Sequence, residues 1–184
     1  MGLDMYLSKK TYVKQWAHNE AKDQFHVSVK RGTKKFDKIK PERVSYVVEQ
    51  VGYWRKFNAL HEWFVQNCQD GVDDCRDGSV SSEQLQEILE ICKKVQTSLL
   101  SSPKETMSIK IGMGPDGDIM DDIQVFSDTS VAEELLPTQP GFFFGGTEYD
   151  EWYMENLSNT IELFEGLVSE DPEGYAEYTY QSSW

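Results

Sequence analysis

PERVSYVVEQVGYWRKFNALHEWFVQN, residues 41–67, decides how the fold is read. Pro41 suits a first helical turn, where its missing N–H costs nothing. On a helical wheel Val44, Val47, Val51, Trp54 and Val65 share one side, and Tyr46, Tyr53, Phe57, Leu60 and Phe64 cover an adjacent side. The periodicity therefore predicts one central helix from Pro41 to about Asn67, with a wider apolar arc than a surface helix needs. Arg55, Asn58, His61 and Glu62 interrupt its buried side, and Arg55, Asn58 and Glu62 fall in a row at i, i+3 and i+7. Buried charges must be paired. The row is either an internal network that fixes the fold or the floor of a ligand pocket. In the pocket reading Arg55 clamps an anion, His61 is donor or base, and Tyr53 and Trp54 offer a stacking face.

Working outward, Leu3, Met5 and Leu7 alternate with Asp4, Tyr6 and Ser8, the period of a strand. Phe25, Val27 and Val29 alternate in the same way, and RGTKKFDKIKP reads as a basic loop. Downstream, Ser81 with Gln84 forms a capping box. It opens a helix from Ser82 to about Leu100, whose stripe Leu85, Ile88, Leu89, Cys92, Val95 and Leu99 is core. Met107–Ile111 and Ile123–Phe126 flank GMGPDGD as a hairpin. Ser130 with Glu133 caps a short helix that stops at Pro137, and Phe142–Phe144 reads as a buried strand or bend. Thr147 with Asp150 opens a helix packed through Tyr153, Leu157, Ile161, Phe164 and Val168. Tyr175–Tyr180 is a last strand, and Trp184 docks. The expected fold is a single α+β domain over 1–184. Its antiparallel or mixed sheet, of about five or six short strands, packs against three main helices.

A chain of 184 residues, 39% hydrophobic and 12% aromatic, can bury a core without metals or disulfides. Cys68, Cys75 and Cys92 are odd in number and show no CxxC spacing, which argues against a disulfide framework or a zinc ribbon. No apolar run reaches membrane-spanning length, and MGLDMYLSKK lacks the pattern of a secretory signal. A cytoplasmic location is expected. Net charge is −14, divided unevenly: residues 1–60 carry 13 Lys/Arg against 6 Asp/Glu, and residues 61–184 carry 5 against 26. The halves either neutralise each other across one fold or leave a basic face that attracts an anion. So acidic a chain is a poor partner for duplex nucleic acid. A small phosphorylated ligand needs only a local patch, and a homo-oligomer is compatible with the composition.

A second constellation is GFFFGGTEYDEWY, residues 141–153. Its glycines precede a helix start, where backbone N–H groups can meet an anion. Glu148, Asp150 and Glu151 already suit that helix end and would repel a bare phosphate. A hydroxyl-rich or cationic group, or a metal ion, fits that end better, with Thr147, Glu148, Tyr149, Asp150 and Trp152 lining it. Asp116, Asp118, Asp121 and Asp122 crowd one loop, but no Glu closes it as a calcium site. No nucleotide loop or HExxH, GxSxG or Cys–His pattern occurs, and no cofactor or metal is expected.

MGLDMYL, KPERVSYVVEQVGYWRKFNALHEWFV and ELLPTQPGFFFGGTEYDEWY, with the SSW ending, resemble an uncharacterised family of small proteins from bacteriophages, prophages and bacterial genomes. The likeness runs through most of the chain. Some members carry the label phosphoglycerate kinase, which this chain is far too short to fit. The resemblance implies an accessory factor acting in the host cytosol, of the kind that sequesters nucleotide-derived immune signals. The expected function is therefore binding of a small polar, nucleotide-like ligand between the Tyr53–Glu62 helix and the Gly141–Trp152 turn. Asp4 and Tyr6 are drawn in if that face of the first strand turns toward the site. The alternatives are a small hydrolase or transferase using His61 with Glu62 or Asp150, and an acidic protein-interaction factor.

Overall fold

The computed structural model describes residues 2–184 apart from Gln15, Ala17, Asn19, Asp116, Glu173, Tyr175 and the side chain of Asp23. In chain order come β1 (Asp4–Tyr12), β2 (Lys30–Arg31), β3 (Lys34–Lys35), β4 (Tyr46–Arg55), α1 (Asn58–Cys68), β5 (Gly78–Val80), α2 (Ser82–Ser101), β6 (Lys104–Gly114), β7 (Gly117–Phe126), α3 (Ser130–Leu135), α4 (Glu151–Glu170) and β8 (Glu177–Ser183). β1, β4, β5 and β8 form an antiparallel sheet in the order β4-β1-β8-β5, while β2-β3 and β6-β7 are separate two-stranded hairpins. The α+β class holds, with every ladder antiparallel. No helix among the described residues is long and apolar enough to cross a membrane.

The helix predicted over Pro41–Asn67 is not there. Pro41–Arg43 makes a single 3-10 turn, Tyr46–Arg55 is a strand, and only Asn58–Cys68 is helical. β-branched and aromatic residues crowd 46–54 and favour a pleated surface over a helix. Their spacing satisfies both periods, so the decision falls to the partner: β1 offers a hydrogen-bonding edge along the whole of β4. Lys56, at φ 59°, then breaks the chain direction between strand and helix. The row Arg55–Asn58–Glu62 therefore does not exist as one helical face.

The strand expected at Phe25–Val29 does not form; the strand here is Lys30–Arg31, just beyond it, paired with Lys34–Lys35. In place of the buried strand or bend expected at Phe142–Phe144, the structure has a turn, with Phe142 96% accessible and Phe143 and Phe144 half-buried. α4 starts at Glu151 with Asp150 as its cap, accepting Tyr153 N at 2.9 Å, so Thr147 and Glu148 lie outside the helix. At α3 the side-chain pair is Thr129 with Glu133, one residue earlier than expected. Asp116 of the acidic loop, and Tyr175 at the expected start of the last strand, lie outside the described residues.

Other local signals hold. Ser81 and Gln84 satisfy each other's backbone in a capping box, and the α2 stripe is buried throughout. One face of the main sheet, Leu3, Met5, Leu7, Trp54, Tyr178 and Tyr180, is sealed beneath the helices together with Leu60, Phe64, Leu85, Ile88, Leu157 and Phe164. Each such side chain contributes about 1.5–3 kcal/mol on burial. Gly52 sits in this layer because a Cβ there would come within 2.6 Å of the Trp54 ring and 3.0 Å of Leu163. The basic and acidic halves of the chain meet in ion pairs, Lys9–Glu170 and Lys10–Glu177, both at 3.1 Å.

Candidate functional site

Period-2 alternation sends Leu3, Met5 and Leu7 inward and Asp4, Tyr6 and Ser8 to the opposite face of the sheet. The register then decides which β4 residues join them. Asp4 lies opposite Arg55, and Tyr6 lies opposite Tyr53. The four side chains make one cluster. Tyr53 OH donates to Asp4 Oδ1 at 2.6 Å, Arg55 Nη1 stands 3.9 Å from the same oxygen, and the two tyrosine rings tilt together with centroids 5.5 Å apart. Tyr53 is 50% exposed and the Arg55 side chain 56%. The hydrogen bond to Asp4, with slight desolvation and the carboxylate's charge, holds the Tyr53 phenol above its ordinary value, while Arg55 opposes the shift. Lys56 reaches the same end of the sheet: a Cβ on Gly2 would meet Lys56 Cε at 3.0 Å and Arg55 Nη2 at 3.8 Å. The cluster thus offers two ring faces, two cations and one acceptor carboxylate on a partly exposed surface.

The remaining predicted residues are elsewhere or sealed. Trp54, one residue from Tyr53, faces the other way by the same alternation. It is buried, with Nε1 donating to Thr160 Oγ1 at 2.8 Å. Asn58 is buried against the Gly-rich turn. Its Nδ2 donates to Phe144 O at 3.1 Å and Gly146 O at 2.8 Å, and its Oδ1 accepts Gln139 N at 2.9 Å. α1 and the 141–152 segment are therefore in direct contact through Asn58. Gly145, at φ 91°, lets the turn close over Lys56, whose Cβ would lie 3.1 Å from an added side chain. Glu148 accepts the neighbouring Thr147 N, and Tyr149 OH accepts Thr138 N at 3.3 Å. Asp150 is spent on capping, and Trp152 is exposed on the first turn of α4. Glu62 accepts from Gln66 on its own helix at the rim of a shallow groove lined by Ala59, Trp63, Leu136 and Gln139.

His61 is fully buried. Its Nδ1 lies 2.7 Å from Tyr180 OH, and its Nε2 lies 3.1 Å from Asp73 Oδ2. Nε2 makes no hydrogen bond despite that proximity, and whether Nδ1 accepts from Tyr180 or donates to it follows the ring's tautomer. Burial and the Asp73 charge drive the Tyr180 phenol well above its ordinary value. Asp73 also accepts Trp184 Nε1 at 3.0 Å, which docks the last residue as expected. This chain fastens β8 and the loop after α1 to α1. It does not join His61 to Glu62 or Asp150, so the acid/base pairs of the hydrolase reading are not assembled.

Two partners that matter, Tyr180 and Asp73, were not legible because they are remote in sequence or sit in a polar loop. A second aromatic cluster also escaped. Tyr12 and Tyr46 pair edge-to-face at 5.1 Å, and Lys10 Nζ stands 4.0 Å above the Tyr46 ring. Strand alternation through Tyr46, Val48 and Gln50 was the available signal. Among the described residues no group of His, Cys, Asp and Glu side chains is placed to hold a metal ion. No family model, curated protein or solved structure matches the chain.

Proposed function

We propose that this chain is a binding protein, not a catalyst, for a small polar, nucleotide-derived ligand held on the open face of the sheet by Asp4, Tyr6, Tyr53 and Arg55. One observation carries the reading: the β1–β4 register sets a tyrosine pair beside an arginine–aspartate pair on a partly exposed surface. A base stacks on Tyr6 or Tyr53, Arg55 with Lys56 meets a phosphate, and Asp4 accepts from a sugar hydroxyl or an exocyclic amine. The site takes the place of the pocket expected between the Tyr53–Glu62 helix and the Gly141–Trp152 turn, where Asn58 hydrogen-bonds Phe144 O and Gly146 O directly. The resemblance to phage-type accessory proteins supplies the biological setting, sequestration of a host nucleotide signal.

Calorimetry and thermal-shift measurements with mono-, di- and cyclic nucleotides test the reading. Binding should vanish in Arg55→Ala and Tyr53→Ala while their melting temperatures stay near wild type, and mass spectrometry should recover the ligand intact. Wild-type protein whose melting temperature responds to no nucleotide would end it.

A further inference from the structure

Tyr6–Tyr53 is one of two cross-strand tyrosine pairs on the same face. Tyr12–Tyr46 is the other, directly opposite in register six residues along β1. At about 3.3 Å per strand residue the two stations stand roughly 20 Å apart. Both carry a cation, Arg55 at the first and Lys10 at the second. Tyr12 and Tyr46 are about as exposed as Tyr53, and Val48, between the stations, is 63% exposed. At the far end Trp16 Nε1 donates to Tyr12 OH at 2.7 Å, and Lys14 Nζ lies 5.2 Å from the Trp16 ring. The connector that returns the chain to Tyr46, residues 30–43, holds 7 Lys/Arg against 2 Asp/Glu. Cross-strand tyrosines stabilise any sheet; a cation at each pair and a basic connector are not needed for that. A mononucleotide covers one station and leaves the other, with its cations, unused.

We propose that this face binds a single-stranded nucleic acid, RNA or DNA, laid along β1 and β4 so that bases stack at both tyrosine stations and its phosphates meet Arg55, Lys10 and the basic connector. The proposal rests on the nucleotide-binding reading of the first station and enlarges its ligand from monomer to strand. Stacked aromatics interleaved with cations on a flat surface suit unpaired bases, whereas a duplex hides its base faces. Of the acidic excess in residues 61–184, Glu177 pairs Lys10 at 3.1 Å and must be displaced by a phosphate at the second station, whereas charges beyond about 8–10 Å are largely screened at physiological salt.

Fluorescence anisotropy of the full chain with labelled oligo-U and oligo-dT, two and eight nucleotides long, tests this against an eight-base-pair duplex. The eight-mer should bind at least about 10-fold tighter than the dimer and than the duplex. Tyr46→Ala should weaken the eight-mer about 10-fold and leave the dimer unchanged, and Tyr46→Phe should restore binding. RNA favoured over DNA, or the reverse, identifies the sugar and supports the proposal either way. Equal affinity for dimer and eight-mer overturns the strand proposal and leaves the small-ligand reading intact. Eight-mer binding lost in Tyr46→Ala but untouched by Tyr53→Ala overturns both. An oligoglutamate that competes as well as the eight-mer overturns it too, because charge alone would then explain binding.

Discussion

Replacing Asn58 with Ala should destabilise the fold by about 3 kcal/mol. The side chain is buried, and three hydrogen bonds, from Gln139 N and to Phe144 O and Gly146 O, end on it. Each is worth about 1 kcal/mol net when both partners return to water. The truncation also leaves one amide N–H and two carbonyls facing a small void, and an unsatisfied buried group costs about 1–3 kcal/mol. Water entering from the exposed turn relieves part of that cost, which keeps the total near 3 kcal/mol and not at the sum of the extremes. For a chain of this size the melting temperature should fall by about 6–12 °C. Urea unfolding followed by fluorescence gives the free energy, and the slope should match wild type. Asn58→Asp sharpens the test. It keeps the acceptor for Gln139 N but sets a carboxylate oxygen against two carbonyl oxygens. The folded-state pKa of that acid is raised, so its deficit is full above that raised value and shrinks as pH falls through it toward the unfolded value of about 4. A loss below about 1 kcal/mol in Asn58→Ala, or an Asn58→Asp deficit that does not respond to pH, would refute the idea that Asn58 staples the turn to α1.

Gly52→Ala should cost about 1–3 kcal/mol in the same assay, since its methyl meets a Trp54 ring held by Thr160; an unchanged midpoint would mean the ring moves freely. Burial, reinforced by Glu87, pushes the Cys68 thiol up to about 12. Cys68 should therefore resist iodoacetamide at pH 8.5 until denaturant is added, and rapid native alkylation would contradict its environment. Cys68 and Tyr180 both hold protons that the unfolded chain releases from pH 9.0 and 10.0 upward. Their stabilising contribution is thus complete below about pH 9 and declines as pH rises toward the folded values. Chemical denaturation between pH 7 and 11 should show that decline, and a rise would reverse the assigned sign. Excising residues 106–124 in favour of a tight turn should move the melting temperature by less than about 2 °C, because among the described residues the β6–β7 hairpin meets the body at its base, through Lys104, the Val125–Asp150 bridge and Phe126.

Features written into adjacent residues were readable: the α2 cap and stripe, the β1 alternation and the β6–β7 turn. Residues 41–67 were not. Valines and aromatics spaced three and four apart also fit a strand, and the break at Lys56 is a positive-φ residue with no glycine to mark it. The same error touched the site. Asp4, Tyr6, Tyr53 and Arg55 were all named in advance, but a helix would have put Trp54 and Arg55 on one side, while the strand sends them to opposite faces. Pairing Asp4 with Arg55 needs a register that only the assembled sheet supplies. His61 was correctly singled out as a polar residue on a buried face. Its partner Tyr180 is 119 residues away, beyond any local pattern.

The sheet order has a kinetic consequence. β1, which precedes the other strands in the chain, is neighboured by β4 and by β8, and β5 reaches the sheet through β8. During synthesis β1 and β4 can pair while β8 is still inside the ribosome, leaving β1 with a bare edge and Leu3, Met5 and Leu7 half covered. β8 then closes the layer in one step, bringing Tyr180 to His61 and Trp184 to Asp73. Folding should therefore be slow and set by contacts between segments far apart in sequence, and nascent chains stalled before Glu177 should be the species that chaperones hold and that aggregate.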